Sequence, residues 1–277
     1  MFVKKGSRLS FVDVAKDMHR KAVDTTMGNH VVFHHVPKCG GTSVARALRL
    51  KYLLSQVTIK TEASYRAWEA FSGEGDSEQM MQDVLDLREQ MLLYWMFEDT
   101  RCVSAHVRFS PKAHDLFRQK YKFITILRDP VDRFISSYFW HTWHTHEHDA
   151  IHLGFEEFLE TGRARRMGAR YVEYYCGLDK NTDMTSESAI QAACSNLSRF
   201  DAVGRLDDLD DFEQQIKQVL GVRIKIGHEN KMRQPKDEKK KIVTPELREK
   251  VKTLCLPDMK IWEHVLRSAK ENAVNKD

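Results

Sequence analysis

A chain of 277 residues, 42% of them hydrophobic, can build one large α/β domain or two small ones, which sets it apart from disordered and fibrous sequences. Its formal charge of +4 suits an anionic ligand but falls short of the concentrated basic signature of a dedicated nucleic-acid binder. No run reaches the roughly 20 apolar residues that cross a bilayer. The N-terminal stretch MFVKKGSRLSFVDVAKDMHRKAV (1–23) has no continuous apolar segment and no small-residue cleavage site, so no signal peptide is read and a soluble protein is expected. The five cysteines, Cys39, Cys102, Cys176, Cys194 and Cys255, are odd in number and form no CxxC pair, which makes free thiols the default. A Cys176–Cys194 bridge stays open if the chain is a trimmed luminal domain.

In chain order, HVVFHHV (30–36) reads as a buried strand and SVARALRLKYLL (43–54) as a helix with apolar residues at helical spacing. A second helix, SEQMMQDVLDLREQMLLYWMF (77–97), follows the Gly-rich acidic turn SGEGDS. RCVSAHV (101–107) is β-like, Pro111 starts a short helix, and YKFITIL (121–127) is a strand apolar on both faces. Such runs alternating with helices predict an open, P-loop-like α/β fold: a parallel sheet flanked by helices. Asp129 and Pro130 can cap and open the next helix, PVDRFISSYFWHTW. Helices near 155–160 and 168–176 and in SESAIQAACSNL precede a strand in FDAVGRL (200–206). DDLDDFEQQIKQVLG then has the acidic start and glycine end that fit helix polarity. HENKMRQPKDEKKK (228–241) reads as a polar loop, and two helices after Thr244 close the chain. With no repeat and no linker, one domain over 1–277 is expected. It comprises an N-terminal extension (1–29), a nucleotide-binding core (30–206) and C-terminal helices with a loop (207–277).

The chemistry concentrates in HHVPKCGGTSVARAL (34–48). Gly40 and Gly41 let main-chain N–H groups approach a ligand, and a helix beginning near Thr42 and Ser43 adds unpaired amides, hydroxyls and a positive dipole end. Phosphate or sulfate suits such a turn, although a plain strand-to-helix bend would use the same glycines. An ATP-binding P-loop places lysine directly after its last glycine. Here Lys38 precedes the glycines, and Arg128 follows YKFITIL where a magnesium-binding acid belongs. Arg128 at a strand end and Ser136 in the second turn of the next helix can form a second anion site, since ligands collect at the carboxyl ends of parallel strands. An arginine paired with a neighbouring acid on a capped helix is the alternative.

VPKCGGTSV followed by ILRDPVDRFISSYF resembles the 5′-phosphosulfate and 3′-phosphate motifs of the PAPS-dependent sulfotransferases. The nearest likeness is to the branch with the heparan and dermatan 2-O-sulfotransferases and the chondroitin and HNK-1 carbohydrate sulfotransferases. SAHVRFS, FDAVGRLDDLDDFEQQI, GHENK and TPELREKVKTLCLPDMKIWEHV are similar to later blocks of that family, so the resemblance covers most of residues 30–268. It implies that Lys38, Cys39, Gly40, Gly41, Thr42 and Ser43 form the 5′-phosphosulfate loop and that Arg128 and Ser136 clamp the 3′-phosphate. PAPS would be the co-substrate, PAP the product, and no metal would be required. Lys38 would stabilise the departing PAP and His106 would be the base. Ser104 stands where the 2-O-sulfotransferases carry a second histidine, and His34 and His35, one packing inward and the other facing the site or solvent, are fallback bases. Asn230 and Lys231 are expected within reach of the 3′-phosphate. The implied acceptor is a hydroxyl compound, a glycan or glycolipid, with no nucleic acid and no transmembrane segment. A cytoplasmic location is expected, or the Golgi lumen if the chain is trimmed. The other readings are a P-loop phosphotransferase using a nucleoside triphosphate and a non-catalytic nucleotide- or carbohydrate-binding protein of the same fold.

HTWHTHEHDAIH (141–152) lacks an HExxH pattern and reads as an acceptor-binding rim rather than a zinc site. Arg163, Arg165, Arg166 and Arg170 can meet an anionic sugar chain or form a solvated helix face. Trp140 and Trp143 can stack on a sugar or pack their helix into the core, and packing is favoured.

Overall fold

The computed structural model describes residues 28–73, 78–143, 149–179, 181–227 and 241–274. Five strands form a sheet: β1 (His30–His34), β2 (Gln56–Ile59), β3 (Cys102–Ala105), β4 (Tyr121–Leu127) and β5 (Ala202–Arg205). Their order is β2-β3-β1-β4-β5 and every neighbouring pair is parallel. Val31, Val32 and Phe33 of β1 and Ile124, Ile126 and Leu127 of β4 are fully buried, which explains their continuous apolar run. In register, Phe33 lies beside Ile124 and His34 beside Thr125. The chain leaves β1 toward one edge and leaves β4 toward the other. The loops after these two neighbouring strands therefore diverge and open a crevice at their carboxyl ends.

The helices are α1 (Gly41–Lys51), α2 (Thr61–Ser72), α3 (Glu78–Phe97), α4 (Pro111–Phe117), α5 (Pro130–Trp143), α6 (Phe155–Leu159), α7 (Gly162–Gly168) and α8 (Arg170–Tyr175). After them come α9 (Glu187–Leu197), α10 (Leu209–Leu220), α11 (Pro245–Leu254) and α12 (Leu256–Val274). Local chemistry sets several boundaries. Asp129 Oδ1 accepts from Asp132 N at 2.9 Å to open α5. Asp208 accepts from Asp211 N at the start of α10, which closes on Gly221 at φ 71°. β2 and α2 are absent from the sequence reading: a four-residue edge strand carries too few alternations to register, and α2 buries only Ser64 and Tyr65.

A second apolar cluster fixes α5 from behind. Phe134, Phe139 and Phe158, each at most 1% exposed, pack there with Val251 and Cys255. Each fully buried phenylalanine contributes about 1.5–3 kcal/mol. The exposed Arg248–Asp132 pair between α11 and α5, at 2.8 Å, contributes about 0–1 kcal/mol. Packing therefore holds α5 in place. All five cysteines are free, and Cys176 Sγ lies 3.7 Å from Met184 Sδ, so the Cys176–Cys194 bridge left open above does not form.

Candidate functional site

The turn after β1 is built from unusual backbone. Lys38, a non-glycine residue, sits in the left-handed region at φ 68°, and Gly40 follows at φ 78°. A Cβ on Gly40 would lie 2.4 Å from Leu206 Cδ1, and one on Gly41 only 1.9 Å from the His35 ring. The glycines are thus required by contact on one side, which leaves bare main chain on the other. Gly40 offers no side-chain cap to α1, so the amides of Gly41 and Thr42 keep their capacity for a ligand, while Ser43 N donates to Gly40 O at 3.2 Å. Thr42 is exposed and Ser43 half-buried in that turn. Gly41→Ala is expected to lower stability by about 1–3 kcal/mol, because the His35 ring must move to admit the methyl group. Urea denaturation measures the loss.

Across the crevice, Arg128 follows β4 directly, and one hydroxyl joins its loop to the turn. Tyr171 Oη donates to Arg128 O at 2.5 Å, accepts from Arg128 N at 3.0 Å and meets Cys39 Sγ at 3.4 Å. Burial pushes the Cys39 thiol up to about 11, so it stays protonated and serves as packing. Tyr171 is itself anchored. Asp258, fully buried on α12, accepts from Tyr171 N at 2.8 Å and Val172 N at 3.2 Å, and lies 3.6 Å from the equally buried Arg133 of α5. Burial raises the Asp258 carboxyl, opposed by Arg133 and the two amides. Removing the hydroxyl in Tyr171→Phe strands two backbone groups of Arg128. The expected stability loss is about 1–3 kcal/mol, read from urea melts, with the far-ultraviolet circular dichroism unchanged.

The two histidines of β1 and its exit divide as expected. His34 is fully buried among Phe109, Phe123 and Phe200. His35 stacks on Phe33 and faces His106, with ring centroids 4.0 Å apart. His106 is half-buried, and its Nδ1 has no hydrogen-bond partner. Arg88, buried on α3, donates to His106 O at 3.2 Å and to Ser64 Oγ at 2.8 Å. Burial, then the Arg88 cation, pushes His106 down to about 4. His35 is lowered by burial and by His106 and Lys38. Both rings are therefore neutral near pH 7, the unprotonated form in which a base acts. Ser104, two residues before His106, is buried inside β3.

The Lys38 ammonium lies 4.0 Å over the indole of Trp140 on α5, one turn beyond the half-buried Ser136. Trp143 packs as expected, stacked on Phe139 at 4.6 Å. Arg166 and Arg170 are bound to the buried carboxylate of Glu173 at 2.8 and 2.6 Å. Burial alone would raise Glu173, yet Arg170 and Arg166 hold it below the usual carboxylate range. Arg163 donates to Ala150 O and Arg165 to Glu160 O, so this basic run is largely engaged with the chain itself. Asn230 and Lys231 lie outside the described residues, as do residues 144–148 of the His-rich stretch. Sequence reasoning missed Tyr171 and Arg88, whose partners are distant along the chain. The Arg170–Glu173 spacing of three was the one local signal for the Glu173 network.

The Gly40–Gly41 turn with Lys38 and the loop that begins at Arg128 thus lie at the carboxyl ends of two neighbouring parallel strands, where ligands collect in sheets of this kind. Residues 22–266 match a family described as the sulfotransferase family. No curated protein matches the chain. Because the family match runs from before β1 into α12 and takes in every strand of the sheet, the chain belongs to the sulfotransferase family.

Proposed function

We propose that this sulfotransferase uses PAPS as donor and a carbohydrate hydroxyl as acceptor. The observation that supports the donor assignment is the Tyr171 hydroxyl, which ties the Arg128 main chain to Cys39 and so holds the loop after β4 against the glycine turn. The acceptor class rests on the resemblance of SAHVRFS and the later blocks to the carbohydrate sulfotransferases. The amides of Gly40, Gly41 and Thr42 and the side chains of Lys38, Thr42 and Ser43 would hold the phosphosulfate, and Arg128 with Ser136 the 3′-phosphate. PAPS supplies an activated sulfuryl group: a bond from the acceptor oxygen to sulfur forms as the bond from sulfur to the 5′-phosphate oxygen breaks. His106 accepts the hydroxyl proton as this happens. Lys38 meets the negative charge that grows on the departing phosphate oxygen, where a preformed cation is most effective.

The test is incubation with isotopically labelled PAPS and a mixed library of glycans, glycolipids and small hydroxyl compounds, followed by mass spectrometry. A sulfated sugar is the expected product. PAP binding without transfer to any acceptor would instead make this a binding protein. Magnesium-dependent ATP turnover would make it a phosphotransferase.

A further inference from the structure

Trp140 has no part in the chemistry above, yet its indole holds a residue on which that chemistry depends. Lys38 Nζ stands 4.0 Å from the ring centre. Both partners are set by rigid surroundings. Lys38 occupies a left-handed backbone position between β1 and Gly40, so its side chain leaves the turn in a direction an extended residue would not give. Trp140 follows Phe139, which is 1% exposed and locked into the cluster behind α5. Ser136 and Trp140 are four residues apart and share one face of α5.

The chemistry of the contact matters as much as its place. An aromatic face attracts an ammonium through its quadrupole and leaves the charge intact. A carboxylate in the same place would bind more strongly, neutralise the local charge and compete with an anionic ligand for the lysine. An indole orients the cation without competing for it. We propose that Trp140 is the positioning residue for Lys38, its π face holding the ammonium in one place from which it can meet a departing phosphate oxygen. This rests on the PAPS-dependent reading above.

The experiment uses Trp140→Phe and Trp140→Leu, each alone and combined with Lys38→Ala. Turnover is measured at saturating PAPS and acceptor, PAP affinity by calorimetry, and stability by urea denaturation. Turnover is expected to fall in the order Trp, Phe, Leu as the ring face weakens and then disappears, with the leucine variant down by about tenfold. PAP affinity is expected to change by less than about threefold. In the Lys38→Ala background the leucine substitution should cause no further loss of turnover, and its stability effect should shrink, as for a coupled pair. Wild-type turnover in Trp140→Leu would overturn the inference, as would an equal loss with and without Lys38 or fully additive stability effects. A failure of the unsubstituted chain to form any sulfated product would overturn the functional reading and this inference with it. Product from the unsubstituted chain together with unchanged turnover in Trp140→Leu overturns the inference alone.

Discussion

His106→Ala is expected to lower turnover by about 10²–10⁴-fold, the usual contribution of a positioned general base. A urea melt separates this loss from any loss of stability, since the substitution also removes the ring's contact with His35 and its hydrogen bond to the His35 main chain. The pH dependence provides a second check. The base acts when unprotonated, so activity falls as pH drops through the His106 pKa. Burial and the Arg88 cation place that value at about 4 rather than near 6.5. The acid limb of kcat/KM for the donor, which reports the free enzyme, should therefore lie well below pH 6. A bound polyanion favours the protonated ring, so the acid limb of kcat should appear at higher pH than that of kcat/KM. Retained wild-type turnover in His106→Ala would move the role of base to His35, the other ring in the same stack.

Lys38→Ala is expected to reduce turnover by about 10²–10³-fold, the range found when one preorganised donor to a developing oxyanion is removed. PAP affinity should suffer much less, because the Gly40–Gly41 main chain and Arg128 remain. Comparison with Lys38→Gly separates catalysis from backbone strain. Both variants lack the ammonium, but only glycine occupies φ 68° without a Cβ penalty. The glycine variant should therefore be more stable than the alanine variant by about 1–2 kcal/mol, while both remain equally slow. Lys38→Arg should recover only part of the rate, since a planar guanidinium spreads the charge that a compact ammonium concentrates. Turnover near the wild-type value in Lys38→Ala would remove the lysine from the mechanism.

Much of the frame is legible in the residues themselves because its causes are local. A strand buried on both faces must be apolar throughout, and YKFITIL ends where β4 ends. The Asp129 cap, the Pro130 start and the Gly221 stop act within one helical turn, so α5 and α10 begin or end where the sequence indicates. The Gly40–Gly41 turn likewise declares a close approach. Interactions that join distant segments leave no such mark. Nothing in the residues around Tyr171 indicates that its hydroxyl meets Arg128 and Cys39, which lie 43 and 132 positions away. Nor does the sequence reveal that Arg133 and Asp258 are buried together beneath it.

The arginine run 163–170 illustrates the same division. A row of cations on a short helix looks like a surface for an anion until folding brings the Glu173 carboxylate against Arg166 and Arg170. The amino-acid order alone determined the alternation of strands and helices, the glycine turn with its preceding lysine, and the arginine at the neighbouring strand end, because each depends on contacts a few residues long. Only the tertiary structure decided which hydroxyl ties those two ends together, which histidine is stacked in the site, and that an indole faces the lysine. Those outcomes depend on which strands pair and which helix packs behind them, and the packing energy that selects them is spread over the whole core.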